Sequence, residues 1–333
     1  MDDGEGRDGA RGSVVDMGVY HDRYWLADTY TGLPIVDLQH VDDDEAGDLD
    51  AAGTAWRLWT YDDEDFAEHL RRFLLTVDTG RVRAILVQEW GQDTGSEVVV
   101  EQLAEHAAEL PGLRSIFLAS ESEHVRISWI RHGDVTPLLE AFPALERLDV
   151  RGNGPRHGGE GGLRFRPVRH ESLRMLRFES GGLSPEIVRA VGESDLPALE
   201  HLDLWLGRAW YGGGATPEDL SGVLRGDRLP ALRHLGVRNS EIQDEMAAAV
   251  VTAPVVPRLR TLGLGLGTLT DRGAESLLSG HPLTHLTHLD LAHHYLTGPM
   301  MDRVRQALPG VEVNLNERRS PGPDSTHHVA VSG

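Results

Sequence analysis

The sequence predicts an α/β solenoid, a horseshoe with a parallel β-sheet on its concave side and helices on its convex side. Three observations carry that prediction. First, residues 259–269 read L-R-T-L-G-L-G-L-G-T-L and residues 286–296 read L-T-H-L-D-L-A-H-H-Y-L, with leucines at positions 1, 4, 6 and 11 of each. Second, the same L-x-x-L-x-L spacing recurs eight times, about 29 residues apart. Third, hydroxyl–proline pairs stand between the repeats, at Thr136-Pro137, Ser184-Pro185 and Thr216-Pro217. A hydroxyl cap followed by proline at the first helical position marks a helix start. Strands pack about 4.8 Å apart and helices about 10 Å apart, so helices on one side of a parallel sheet force it to curve.

The elements follow in chain order. Residues 1–30 are rich in Gly, Asp and Arg at their start and read as a disordered tail. Residues 31–80 read as an N-terminal cap. In it, Ile35 to Leu38 form a short strand or arm, Thr54 to Tyr61 a strand, and Asp62 to Val77 a helix. That helix carries Phe66, Leu70, Phe73, Leu74 and Val77 at helical spacing. A cap is needed because a terminal repeat lacks a neighbour on one side.

Residues 81–316 form the repeat array. Its motif positions are Val82/Ile85/Val87, Leu113/Ile116/Leu118, Leu145/Leu148/Val150, Leu173/Leu176/Phe178, Leu199/Leu202/Leu204, Leu232/Leu235/Val237, Leu259/Leu262/Leu264 and Leu286/Leu289/Leu291. A closing strand carries Val311, Val313 and Leu315. Residues 317–333 are polar, contain Pro and Gly, and read as a second disordered tail.

On these motifs residues 82–315 resemble the leucine-rich-repeat superfamily, in its long, helix-bearing ribonuclease-inhibitor-like class. They are also similar to cytoplasmic leucine-rich-repeat proteins of GC-rich bacteria. The resemblance implies a protein-binding scaffold. One feature departs from the pattern. The turn position often held by Asn in such repeats is Glu121, Asn153, Gly181, Gly207, Ser240, Gly267 and His294, so an asparagine ladder is absent and the turns must satisfy their amides otherwise.

Composition narrows the function classes. The net charge is −21, with all 32 cations arginine and no cysteine. Such acidity argues against a nucleic-acid partner and an anionic membrane surface, and suits a basic protein partner. Without cysteine there is neither a disulfide nor a thiolate metal site. The N-terminus lacks the apolar stretch of a secretory signal and no apolar run is long enough to span a bilayer, so the expected location is the cytoplasm. No cofactor motif is present, and nothing resembles a nucleophile elbow or a zinc-protease pair. Oligomeric state is left open by the sequence.

Candidate binding residues lie between the motif leucines, because side chains alternate along a strand. They are Phe117, Arg147, Asp149, Arg177, Glu179, His201, Asp203, Trp205, His234, Arg238, His288 and Asp290. Exposed aromatics beside arginines make binding hot spots, so these positions predict a protein-contact surface. Insertions at 120–134, 152–169 and 208–215 follow strand ends and add Trp129, Arg131, Trp210 and Tyr211 on one rim. Thr261, Gly263 and Gly265 leave a bare patch, which directs the expected contact surface toward Arg177 and Trp205. The second reading is an enzyme: His201 and His234 at equivalent positions, with Asp203, Asp290 and His288, could serve as metal ligands or acid–base groups. A third is a structural accessory subunit of an enzyme complex. No metal ligand set is assigned from sequence alone.

Overall fold

A computed structural model describes residues 28–60, 65–90, 95–119, 127, 130–152 and 162–332. Twelve strands form one open sheet in strict chain order. They are β1 (Thr29–Tyr30), β2 (Leu33–Asp37), β3 (Ala55–Leu58), β4 (Ala84–Val87), β5 (Ser115–Leu118), β6 (Arg147–Arg151), β7 (Met175–Glu179), β8 (His201–Gly207), β9 (His234–Ser240), β10 (Thr261–Gly263), β11 (His288–Asp290) and β12 (Glu312–Asn314). Only β1 runs antiparallel to its neighbour; every later pair is parallel.

The register follows the motif. Leu148, Leu176, Leu202, Leu235, Leu262 and Leu289 stand opposite one another on successive strands. All are 0–1% exposed and belong to one continuous core running from Leu38 to Leu315. This is how a repeat array buries leucine without a single central core: each repeat covers its neighbour. The cap continues the same series, since Ile35 pairs with Ala55 and Trp56 with Ile85. The β1–β2 hairpin ends the sheet at that side.

Helices back the sheet. They are α1 (Asp43–Asp48), α2 (Phe66–Thr76), α3 (Glu97–Glu105), α4 (Thr136–Ala141), α5 (Pro185–Glu193), α6 (Ser221–Arg225), α7 (Gln243–Val251), α8 (Asp271–Ser279) and α9 (Gly298–Ala307). The expected cap appears at Ser184, whose side chain accepts from Glu186 N. At Thr136 the hydroxyl–proline pair lies one position later than expected: Thr136 is already helical, and Asp134 accepts its N–H at 2.9 Å. At Thr216 the chain turns first, and α6 begins only at Ser221. There the hydroxyl and N–H of Thr216 both donate to Asp219 Oδ2, at 2.8 Å.

In place of an asparagine ladder, the turns use several side chains. His294 accepts from Leu296 N at 3.1 Å through Nδ1, which leaves Nε2–H to donate to the Leu315 carbonyl, also at 3.1 Å. His170 does the same with Leu173 N and the Phe142 carbonyl. Gln243 accepts from Ser240 N and donates to the Val237 carbonyl. These contacts answer the turn-amide requirement that the missing asparagines posed.

Both predicted tails need correction where they are described. Tyr30 is 6% exposed in β1, not part of a free tail. At the other end, residues 326–332 lie against the rim formed by the strand C-termini. Val331 exchanges hydrogen bonds with the Asn239 side chain at 2.7 and 3.0 Å, and Ala330 N donates to the Leu266 carbonyl. His328 exchanges hydrogen bonds with Tyr295 Oη at 2.8 and 2.9 Å, and Val329 is 6% exposed. Composition predicts disorder here because the segment has few apolar residues of its own. It is ordered by partners that earlier repeats supply.

Candidate functional site

The concave face follows from strand alternation. Motif leucines point to the helices, and the residues between them point to the opposite face. The structure brings the predicted residues together, but as a second buried layer. Phe117 is 5% exposed and Trp205 4%, so the expectation of exposed aromatic anchors on this face is corrected. Arg177, Glu179, Asp149, Asp203, Arg238, His201, His234 and Asp290 are buried as well. Curvature crowds side chains on the inner face, and long ones reach each other across strands.

The layer has two parts. Toward the N-terminal end, Tyr30 packs on Phe117 at 5.9 Å between ring centroids and lies under the Arg147 guanidinium. Its hydroxyl donates to Asp149 Oδ2 at 2.9 Å. Arg177 Nε sits 3.2 Å from Asp149 Oδ1 and its Nη1 donates to Glu179 Oε1 at 3.1 Å. Arg151 Nη1 donates to the other Glu179 oxygen at 2.8 Å. Burial alone would raise the Asp149 carboxyl, but Arg147 and Arg177 outweigh it and hold it below the usual range. Tyr30 is pushed well up by burial and by Asp149.

Next along the sheet, His201 and His234 occupy paired register positions of β8 and β9. Their rings stack at 3.6 Å with 7° between planes. Burial holds both well below the ordinary histidine value. For His201 the next contribution is His234, then Arg177; for His234 it is Arg238. Both are therefore neutral imidazoles at neutral pH. His234 Nδ1 is hydrogen-bonded to Thr261 Oγ1. Among the described residues, neither His201 ring nitrogen nor His234 Nε2 has a hydrogen-bond partner. An unsatisfied buried polar group costs about 1–3 kcal/mol, so such a group in a folded site calls for an explanation.

Asp203 lies two residues beyond His201 on the same face. Arg238 Nε is 3.2 Å from Asp203 Oδ1, and Arg238 Nη1 donates to Asp290 Oδ2. Two glycines make room for this bridge. A Cβ on Gly236 would fall 2.2 Å from Asp203 Oδ1, and one on Gly263 would fall 2.4 Å from Arg238 Nη2. Gly263, which reads as part of a bare patch, is the seat of the Arg238 guanidinium. Asp290 also accepts from Asn314 Nδ2 at 2.8 Å. Burial raises the Asp203 carboxyl against the opposing pull of Arg238 and Arg177.

Beyond Arg238 the face opens into a cavity of about 480 Å³, lined by His234, Thr261, His288, Asp290, Glu312 and Asn314 among others. His288 Nδ1 lies 3.5 Å from Glu312 Oε2. Thr261, read as part of a bare patch, lines this cavity. Sequence reading missed Tyr30, which lies in a stretch read as tail, and Asn314, which registration against Asp290 would have found.

Of the rim residues, Trp210 is 65% exposed, Tyr211 is half-buried and Arg131 is exposed; Trp129 lies outside the described residues. Among the described residues no helix is long and apolar enough to cross a membrane.

No protein-family model matches the chain, and no curated protein sequence does. An internalin from Listeria monocytogenes aligns with a TM-score of 0.40 and 16% identity, over 72% of this chain and 56% of that chain. A protein from Bacteroides fragilis aligns with a TM-score of 0.70 and 24% identity, over 79% of this chain and 74% of that chain. The recurring leucine motif and the ordered parallel sheet make the fold a leucine-rich-repeat solenoid, and the Bacteroides fragilis likeness shows that this fold is shared.

Proposed function

We propose that the chain is a protein-interaction scaffold of the long-repeat, ribonuclease-inhibitor-like class, acting in the cytoplasm and contacting its partner through the rim at the strand C-termini. The carrying observation is Trp210, 65% exposed on the turn after β8. Ile242, 37% exposed, lies on the turn after β9, and Arg208 Nε donates to Glu241 at 2.9 Å to join the two turns. A large aromatic held at a rigid rim beside an arginine has the chemistry of a binding hot spot. The inner side chains are already consumed by one another, which moves the contact surface from the concave sheet to its edge. The helices of nine residues at α5, α7 and α8 support the long-repeat class. A net charge of −21 favours a basic partner and predicts weaker binding at high salt.

Affinity capture from the native cell with the full chain as bait tests this. Trp210→Ala should reduce recovery of the partner at least tenfold, with the fold unchanged by circular dichroism. A partner recovered equally by wild type, Trp210→Ala and a Trp210→Ala/Ile242→Ser double variant would remove the rim from consideration.

A further inference from the structure

We propose that His201, His234 and Asp203 form a site for one first-row divalent cation of the zinc type. The two histidines are adjacent by register, and Asp203 stands two residues along β8 on the same face. One donor atom from each of the three lies within 4.8 Å of the others. Donors bound about 2.0–2.2 Å from a single ion stand roughly 3.3 Å apart, with the ion in the plane of each ring, so one imidazole must turn out of the parallel stack as the donors close by about 1.5 Å. Two imidazoles and one carboxylate with a fourth position left for water is a donor set that such ions take.

Two observations point to a ligand at this spot. His201 is 7% exposed and both its ring nitrogens lack a hydrogen-bond partner among the described residues. His234 Nε2 lacks one too, while its Nδ1 is hydrogen-bonded to Thr261. In the tautomer whose Nδ1–H donates to that hydroxyl, Nε2 carries the lone pair, the arrangement in which an outer hydrogen bond orients a metal-binding histidine.

Arg177 and Arg238 are the opposing charges; Arg177 is already paired with Asp149 and Glu179, and Arg238 has a second partner. Arg238 contacts Asp203 and Asp290 at once. On cation binding it can release Asp203 and remain paired with Asp290, so no buried charge is orphaned. An anion at the same spot would instead face both carboxylates. Magnesium and calcium are disfavoured because they require mostly oxygen donors. The cavity lined by His234 and Arg238 supplies the route in.

The test uses the full chain, freed of metal by chelation and titrated with Zn²⁺ and Co²⁺. The expected result is one saturable equivalent of zinc, and strong visible absorption from four-coordinate cobalt. His201→Gln and His234→Gln should each weaken zinc binding at least 30-fold, and a surface control, His281→Gln, should leave it unchanged. Magnesium at millimolar concentration should not compete. Absence of a saturable equivalent in the wild type, or zinc binding unaltered in both variants, overturns the proposal. Should the variants fail to fold, histidine ring nitrogen resonances of the wild-type chain decide: zinc must shift those of two buried histidines, and unmoved resonances overturn it equally.

Discussion

The two halves of the concave face share a backbone and a register but differ in what their side chains do. Between β5 and β8 the inward positions carry Phe117, Arg147, Asp149, Arg177, Glu179 and Trp205, and they fill the curve completely. Between β9 and β12 they carry His234, Gly236, Arg238, Thr261, Gly263, His288, Asp290 and Asn314, and a cavity of about 480 Å³ remains. The histidine pair lies at the seam, with His201 on the filled side and His234 lining the cavity.

The largest break of that comparison is on the filled side. Arg177→Ala would leave Asp149 and Glu179, each 1% exposed, short of a cation in a nearly dry layer. Removing one partner from a buried ionic network costs about 3–5 kcal/mol. Urea unfolding should show a loss of that order. A loss below about 1 kcal/mol would mean that water reaches this layer and that the two halves do not differ as described.

Acid should separate the halves next. His132 is pushed down to about 4 by burial, against the hydrogen bond it makes to the Arg151 carbonyl. The unfolded chain takes up this proton near pH 6.5 and the folded chain does not until about 4, so stability falls as pH falls through that window. His132 alone accounts for about 3 kcal/mol across it. His201 and His234 are lowered in the same direction, chiefly by burial, and steepen the loss. Unfolding free energies at pH 7, 6 and 5 check this. His132→Gln should flatten the slope, and an unchanged slope would show that the ring titrates normally.

Gly263→Ala makes a smaller change at the seam. Its Cβ would fall 2.4 Å from Arg238 Nη2 and 2.6 Å from Cζ, so the guanidinium must shift from its place between Asp203 and Asp290. Overpacking of this kind costs about 1–3 kcal/mol. Thermal unfolding should show that loss. A neutral result would mean that Arg238 is mobile and its two ion pairs weak.

The motif leucines made the fold legible, because a spacing repeated eight times admits few architectures. Strand alternation likewise located the inner face, so the candidate residues do share one surface. What spacing does not carry is whether that surface is wet. Arg177, Asp203 and Trp205 read as exposed because polar and amphipathic residues usually are, and only the curvature and the pairing across strands bury them. Gly263 reads as bare because the residue that occupies its space, Arg238, comes from the neighbouring strand. Tyr30 and the segment around Val331 were hidden for a related reason. Their partners, Asp149 and Asn239, are 119 and 92 residues away along the chain, and nothing local marks them.

The smallest expected effect is on the open side. His288 Nδ1 and Glu312 Oε2 are 3.5 Å apart, close to the Arg177–Asp149 separation of 3.2 Å, so distance alone would rank the two pairs alike. Glu312, however, is 81% exposed, whereas Asp149 is 1% exposed. Water screens the first pair, and exposed pairs contribute about 0–1 kcal/mol. Glu312→Gln should therefore change stability by less than about 0.5 kcal/mol in urea unfolding. A loss near that of Arg177→Ala would show that the cavity is drier than its lining suggests, and the contrast between the two halves would fall with it.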